Sequence, residues 1–488
     1  MQPDARAPHL SHSPPVGAQL MRALAEATLT MLAAIATLLC ALALDPAPAV
    51  GVLAVVLCVS LSRSQLDRDR RGRIEAAFVL PVVGVAASGV GFLLQHMPVA
   101  GAAVFTTGMF VSIWLRRFGP MARRAGALVG LPFVALLIVP HIAPREHPNA
   151  LWAACLPILV ALLALLWVTV FHAIGRRLDM LPAGGGRMPV LVSQQTSSLR
   201  PIPSTRMAIQ MATALALSFA VGHVFFPAHG SWVVLTAFIV NSGSRGRLDV
   251  AYKSVLRLVG AAAGTLLALT IGLHAGTHHA AMAVAILVAL FVGIWLRPFG
   301  YVWWALCVTV VFALLQGFAG LPLSALLWPR LESIAIGAVI GVAAAWFVLP
   351  VRSRLVLRRR VADALATLAA ALDPATPVAA DEFLAALTAL EQVAPAFRAS
   401  RRVLRHVMPM QPADWIDTLL ACRGPAQRLI ERRFTSPEVR RAVGAARKAL
   451  GEPPALLAAL RNVEAALGRA QAQMNATARG AASPELDT

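Results

Sequence analysis

Long apolar stretches alternate with short polar loops from residue 21 to residue 350. About 20 apolar residues cross a bilayer core as a helix, and that rule marks twelve spans. The first six are Met21–Leu44, Ala47–Leu61, Ala76–Leu94, Val99–Leu115, Ala125–Ile142 and Leu151–Ile174. The second six are Met207–Phe226, Ser231–Asn241, Ser254–Leu273, His279–Leu296, Tyr301–Phe318 and Leu331–Leu349. The second span of each set is short, and short or broken helices at matching places in two halves point to a transport path. After Pro350 the pattern changes to amphipathic stripes at helical spacing. Val361, Leu365 and Leu368 form one stripe, and Phe383, Leu384, Leu387 and Leu390 another. Prolines punctuate this tail, which predicts a bundle of four to six helices followed by a disordered last dozen residues.

The membrane part reads as written twice. Trp114-Leu115-Arg116-Arg117-Phe118-Gly119 recurs as Trp295-Leu296-Arg297-Pro298-Phe299-Gly300. Arg71-Gly72-Arg73-Ile74-Glu75 recurs as Arg245-Gly246-Arg247-Leu248-Asp249, and Arg22 and Glu26 correspond to Arg206 and Gln210. The matches keep their order, as a duplicated set of helices requires. The fold class is therefore all-α: a polytopic membrane protein of two tandem six-helix transmembrane repeats followed by a cytoplasmic helical bundle. The domains follow: a disordered cytoplasmic N-terminus at 1–20, the first repeat at 21–175 and a cytoplasmic linker at 176–204. The second repeat is 205–350, the cytoplasmic helical domain 351–476 and a disordered tail 477–488.

Arginine sets the orientation. Clusters such as Arg68, Arg70, Arg71 and Arg73 follow the even-numbered spans, while the alternate loops hold only Arg145 and Arg330. Cytoplasmic loops carry the excess of basic residues, so both termini are expected in the cytoplasm, and even-span halves make parallel repeats. The chain is 58% hydrophobic and 14% charged, which a soluble protein could not hide. Its net charge of +20 falls mostly in the short loops and the tail, a pattern of topology determinants rather than of a nucleic-acid surface. The first 19 residues have no apolar core of their own, so no cleavable signal peptide is read. Five scattered cysteines suggest neither a disulfide framework nor a zinc site. The predominance of arginine over lysine and the abundance of alanine point to a bacterial inner membrane.

No catalytic signature is present: there is no phosphate-binding Walker loop and no Gly-x-Ser-x-Gly elbow. The expectation is a non-enzyme without cofactor or metal. His274, His278 and His279 have the spacing of a metal site but no carboxylate or cysteine beside them, so wet loop histidines are the plainer reading. Charges inside spans are more telling, because they are costly there and tend to line a path. Lys253 and Arg257 stand four apart on one helix face, and Arg330 begins the last span at its outer end. Snorkelling to the interface is the competing reading for all three.

Ser231-Trp232-Val233-Val234-Leu235-Thr236, then Asn241, then Lys253-x-x-x-Arg257-x-x-Gly260 and Gly264-Thr265, resembles the signature of the fusaric-acid-resistance superfamily. The last span, from Arg330-Leu331-Glu332 through Gly337 to Leu349-Pro350, resembles the family's closing helix. The superfamily includes bacterial aromatic-acid exporters and plant aluminium-activated malate transporters. At Asn241 the family often has Gln or Glu. The resemblance implies export of organic, aromatic acid anions, driven by the proton-motive force. Arg257 would be the main anion contact, with Lys253 and Arg330 at the two ends of the route and Trp232 and Asn241 beside it. Glu26 and His229 are the proton-coupling candidates. The partners expected are a small organic anion and the lipid bilayer, and no nucleic acid. A periplasmic adaptor with an outer-membrane channel, and a homodimer, stay open. So do two rival functions: a passive anion channel of the same fold, and a membrane scaffold whose bundle binds a partner.

Overall fold

The computed structural model describes residues 16–66, 70–118, 122, 126, 150–180, 203–227, 229–275, 278–318, 323–373, 380–406 and 411–480. Among these there is no strand. Eight helices are long and apolar enough to cross a membrane, and two further apolar helices are shorter. The chain divides into two compact units, one of residues 1–186, 198–244 and 253–350, the other of 187–197, 245–252 and 351–488.

The first unit contains α1 (Val16–Leu44), α2 (Pro48–Leu66), α3 (Arg70–His96), α4 (Pro98–Trp114) and α5 (Ala150–Arg177). These stand where spans one to four and six were expected; span five, 125–142, lies outside the described residues apart from residue 126. Then come α6 (Pro203–Phe225), α7 (Gly230–Asn241), α8 (Arg247–Ala275), α9 (His279–Leu296), α10 (Tyr301–Phe318) and α11 (Leu323–Phe347). The first two turns of α8 cluster with the other unit. Both copies of the Trp-Leu-Arg motif fold alike, as a 3-10 turn at the end of an apolar helix: Leu115–Phe118 after α4, and Arg297–Phe299 after α9. The arginine contacts differ between the copies: Arg117 lies 5.1 Å from the ring of the motif's own Trp114, whereas Arg297 lies 4.5 Å from the ring of Trp304 on α10.

The helix pairings run in parallel. α1 packs on α2 and α5, and α2 on α5; α6 packs on α7 and α11, and α7 on α11. Across the halves, α4 packs on α6 and α9 on α1. One apolar core, with Phe105 and Met109 of α4, Met211 and Leu215 of α6 and Trp232 and Leu235 of α7, joins the halves. α7 has 12 residues, about 18 Å of helix, too short for a ~30 Å hydrocarbon core. Nine of its residues are buried, so it lies enclosed by other helices rather than facing lipid. By contrast α2 runs 19 residues, longer than its apolar stretch suggested.

The second unit is helical throughout its described residues, with seven helices rather than the four to six expected. They are α12 (Ser353–Ala371), α13 (Ala380–Glu391), α14 (Ala394–Leu404), α15 (Pro412–Ala421), α16 (Arg423–Glu431), α17 (Pro437–Lys448) and α18 (Pro453–Gly480). The extra elements are short and end at prolines and capped turns, which blurs their periodicity in the sequence. The first predicted stripe and most of the second face its core, where Val361, Leu365 and Leu368 meet Phe383, Leu387 and Leu390 around Trp415, while Leu384 is half-buried outside it. The α18 helix continues beyond residue 477, where a disordered tail was expected; 481–488 lie outside the described residues.

Candidate functional site

Two glycine pairs set the geometry of the second membrane half. On α8, a Cβ at Gly260 would stand 2.8 Å from the Cβ of Ala305, and one at Gly264 2.5 Å from the Leu306 carbonyl oxygen. On α11, a Cβ at Gly337 would stand 2.5 Å from the Val233 carbonyl oxygen, and one at Gly341 2.5 Å from the Val240 side chain. Only glycine allows such approach, so α8 presses on α10 and α11 on α7 at backbone distance. Gly260 and Gly264 of the sequence motif both lie at such a contact.

That packing carries two arginines to one turn of α10. Arg257 lies one turn before Gly260 and is 1% exposed. Its Nη1 donates to Thr309 Oγ1 at 3.2 Å and to the Ala305 carbonyl at 3.4 Å. Arg330 lies two turns before Gly337 and is 2% exposed. Its Nη2 donates to the Thr309 carbonyl at 3.3 Å. Thr309 Oγ1 in turn donates to the Ala305 carbonyl at 2.7 Å. Arg330 is further fixed by Trp232, whose ring lies 4.3 Å below its guanidinium carbon and meets Phe312 edge-on at 5.4 Å.

Neither guanidinium is saturated. Among the described residues, Arg257 Nε and Nη2 and Arg330 Nε have no hydrogen-bond partner. The buried hydroxyls of Thr236, one turn after Trp232, and of Thr265, next to Gly264, are in the same state. A buried guanidinium donates five N–H bonds and costs several kcal/mol when its charge is left uncompensated. Two of them on one turn form an electropositive seat with donors to spare. A carboxylate is the group whose geometry fits such donors, often as a bidentate pair.

Snorkelling does not describe these arginines, since both are enclosed. Arg330 is not at the end of its helix either. α11 begins at Leu323, seven residues earlier than Arg330, and continues through Pro329. Arg257 and Arg330 therefore meet at one place instead of marking opposite ends of a route. Lys253 points elsewhere: its Nζ lies 3.4 Å from the carbonyls of Ser242 and Gly243, where it neutralises the C-terminal end of α7. Asn241 Nδ2 donates back to the Ala237 carbonyl at 3.0 Å, about 13 Å along α7 from Trp232. His229 occupies the N-cap position of α7, with no side-chain cap bond, and Glu26 is half-buried on α1 in the other half. Gln210, the counterpart of Glu26, donates from Nε2 to the carbonyls of Val348 (2.9 Å) and Leu349 (3.2 Å). It thereby holds the left-handed turn at Leu349, φ 46°, before Pro350.

Thr309 was missed in the sequence. Its signal is slight but present: with Gln316 it is one of two hydroxyl or amide side chains after Tyr301 in the apolar run to Phe318. Of the outer histidines, His274 Nδ1 lies 2.7 Å from the Thr270 carbonyl and His279 stacks edge-on against Phe318. Among the described residues no three His, Cys, Asp or Glu side chains gather as a metal site.

Residues 213–344 match the model of a protein family described as fusaric acid resistance protein-like. That segment runs from α6 to α11 and contains Trp232, Arg257, Thr309 and Arg330. No curated protein and no solved structure matches the chain.

Proposed function

We propose, from the match of residues 213–344 to the fusaric acid resistance protein-like family model, that the protein exports organic acid anions, aromatic ones among them, across a bacterial inner membrane at the expense of the proton-motive force. The observation that carries this reading is the convergence of Arg257 and Arg330 on Thr309, with donors that have no hydrogen-bond partner among the described residues. A transported anion would complete the seat and a proton gradient would release it. Trp232 then acts through Arg330. One face of its ring is already covered by that guanidinium, so it positions the cation instead of stacking on a substrate ring.

The parallel helix pairings and the two Trp-Leu-Arg turns support tandem repeats whose fourth and first helices pack across the halves. The basic loops support cytoplasmic termini, with 1–20 as an arm, 176–204 as the linker between repeats and 351–476 as a cytoplasmic bundle. The proton-coupling candidates read from the sequence are Glu26 and His229. A periplasmic adaptor with an outer-membrane channel, and a second copy of the chain, are partners this reading accommodates.

The test is efflux of labelled 4-hydroxybenzoate from proteoliposomes, with a pH gradient and a voltage imposed separately. Uphill efflux that collapses with the pH gradient is the expected result. Downhill flux set only by voltage would make the protein a channel, and no flux of this or other organic acids would favour a scaffold.

A further inference from the structure

The core of the first membrane half holds a polar chain that the anion seat does not use. His172, in the last turns of α5, is 2% exposed. Its Nε2 lies 2.9 Å from Ser62 Oγ on α2, and Ser62 Oγ lies 2.7 Å from Thr30 Oγ1 on α1. All three side chains are buried, and the core around them is aliphatic, with Ala34, Leu61 and Val168 among its members. Two turns further along α1, Thr37 Oγ1 lies 3.0 Å from the Cys58 thiol.

Such a chain has two states. A neutral imidazole with a bare Nε2 accepts the Ser62 hydroxyl hydrogen, and Ser62 then accepts from Thr30. A protonated imidazole must donate from Nε2, and Ser62 then accepts from it and can turn its own hydrogen toward Thr30 Oγ1. Protonation makes one N–H bond with a proton drawn from water and reverses the donor direction between His172 and Ser62.

The surroundings bear on that charge. His172 sits near the C-terminus of α5, whose dipole favours a cation. Glu26 and Arg22 precede Thr30 by one and two turns on α1, and Arg176 and Arg177 follow His172 on α5. By chain position α2 adds Arg63, and α3 adds Arg70, Arg71, Arg73 and Glu75. In general a carboxylate or a helix C-terminus favours an imidazolium and an arginine opposes it.

At the matching place the opposite half has an alanine. Aligned on their internal prolines, Pro157 and Pro329, α5 and α11 put His172 against Ala344 and Ile158 against Arg330. Each half has its polar group where the other is apolar. We propose that His172, hydrogen-bonded to Ser62 and Thr30, is the proton-carrying group of this transporter, in place of Glu26 and His229. The first half would hold the proton and the second the anion. This inference rests on the reading of the protein as a proton-coupled transporter.

Two readouts test it on the full chain in a bilayer. The first is the histidine 15N spectrum in nanodiscs, with the His172 signal assigned by its loss in His172→Gln. The expected result is a titration with a midpoint between about pH 5 and 8, shifted in Ser62→Ala. A His172 signal that does not move over that range would overturn the proposal. The second is organic-anion flux in proteoliposomes. His172→Gln keeps a hydrogen-bonding side chain but cannot carry a proton. It is expected to lose about tenfold or more of the acceleration by a pH gradient. Full gradient-driven acceleration in that variant would equally overturn the proposal. Where His172→Gln does not fold, Ser62→Ala serves: a displaced pH midpoint of flux supports the assignment and an unchanged one contradicts it. A wild-type protein that moves no organic anion would defeat the transport reading, and the 15N titration would still decide whether His172 takes up a proton.

Discussion

At the scale of single residues, the account rests on two enclosed arginines and the threonine between them. Arg257→Ala removes half of the positive seat, and the expected outcome is at least tenfold slower anion flux with normal membrane insertion. Thr309→Val keeps the side-chain volume but removes the hydroxyl that accepts from Arg257 Nη1. Flux in that variant is expected to fall several-fold, a net loss of about 1–2 kcal/mol, while Thr309→Ser recovers most of it; efflux assays on the two variants check this. Arg257 was legible in the sequence because a cation four residues after Lys253, inside an apolar span, has no cheap explanation. The role of Thr309 was not, since a threonine in a membrane helix is more often bonded to its own backbone. Trp232 was legible as part of a motif but not as a support for Arg330. That role depends on the approach of α7 and α11, which belongs to tertiary packing.

At the scale of helices, glycine decides where the charges end up. Gly264→Ala and Gly337→Ala each place a methyl about 2.5 Å from a backbone carbonyl, which the helices relieve only by separating. Each is expected to lower stability by about 1–3 kcal/mol and to weaken transport, measured by thermal unfolding in detergent and by flux. Gly17, with nothing near its Cβ, provides the neutral control. The spans themselves were legible almost throughout, because about 20 apolar residues have few alternatives to a membrane helix. The start of α11 was not. Pro329 reads as a helix breaker, yet the helix runs through it from Leu323, and two extra turns move Arg330 from an expected end into the interior. In the second unit Cys422 is buried, and burial pushes its thiol up to about 12 from an ordinary 9.0. A folded value above the unfolded one adds stability that is fully present below about pH 9 and is lost as the pH climbs toward 12. Cys422 is accordingly expected to resist alkylation at pH 8 unless the unit is unfolded, which mass spectrometry of the labelled protein would show.

At the scale of the molecule, helices of the two membrane halves pack on one another, α4 on α6 and α9 on α1. Such packing is in keeping with a path enclosed by both halves. The ordered motif matches in the sequence led to the expectation of a duplication, but which helices meet across the halves depends on which faces pack, and apolar faces look alike in a sequence. The division of chemistry between the halves was equally hidden, because His172 lies in an apolar run close to the loop arginines. Orientation remains a matter of arginine placement, and a reporter fused after Thr488 is expected to read cytoplasmic; a periplasmic readout would reverse the whole topology. The central claim is that Arg257 and Arg330 form the seat of a transported anion. Its most direct test is efflux of labelled 4-hydroxybenzoate from proteoliposomes containing the wild type, Arg257→Ala and Arg257→Lys at matched protein density. The account predicts rapid efflux for the wild type, partial efflux for the lysine variant, which keeps the charge but not the planar fork, and background for the alanine variant. Wild-type rates in Arg257→Ala would contradict it.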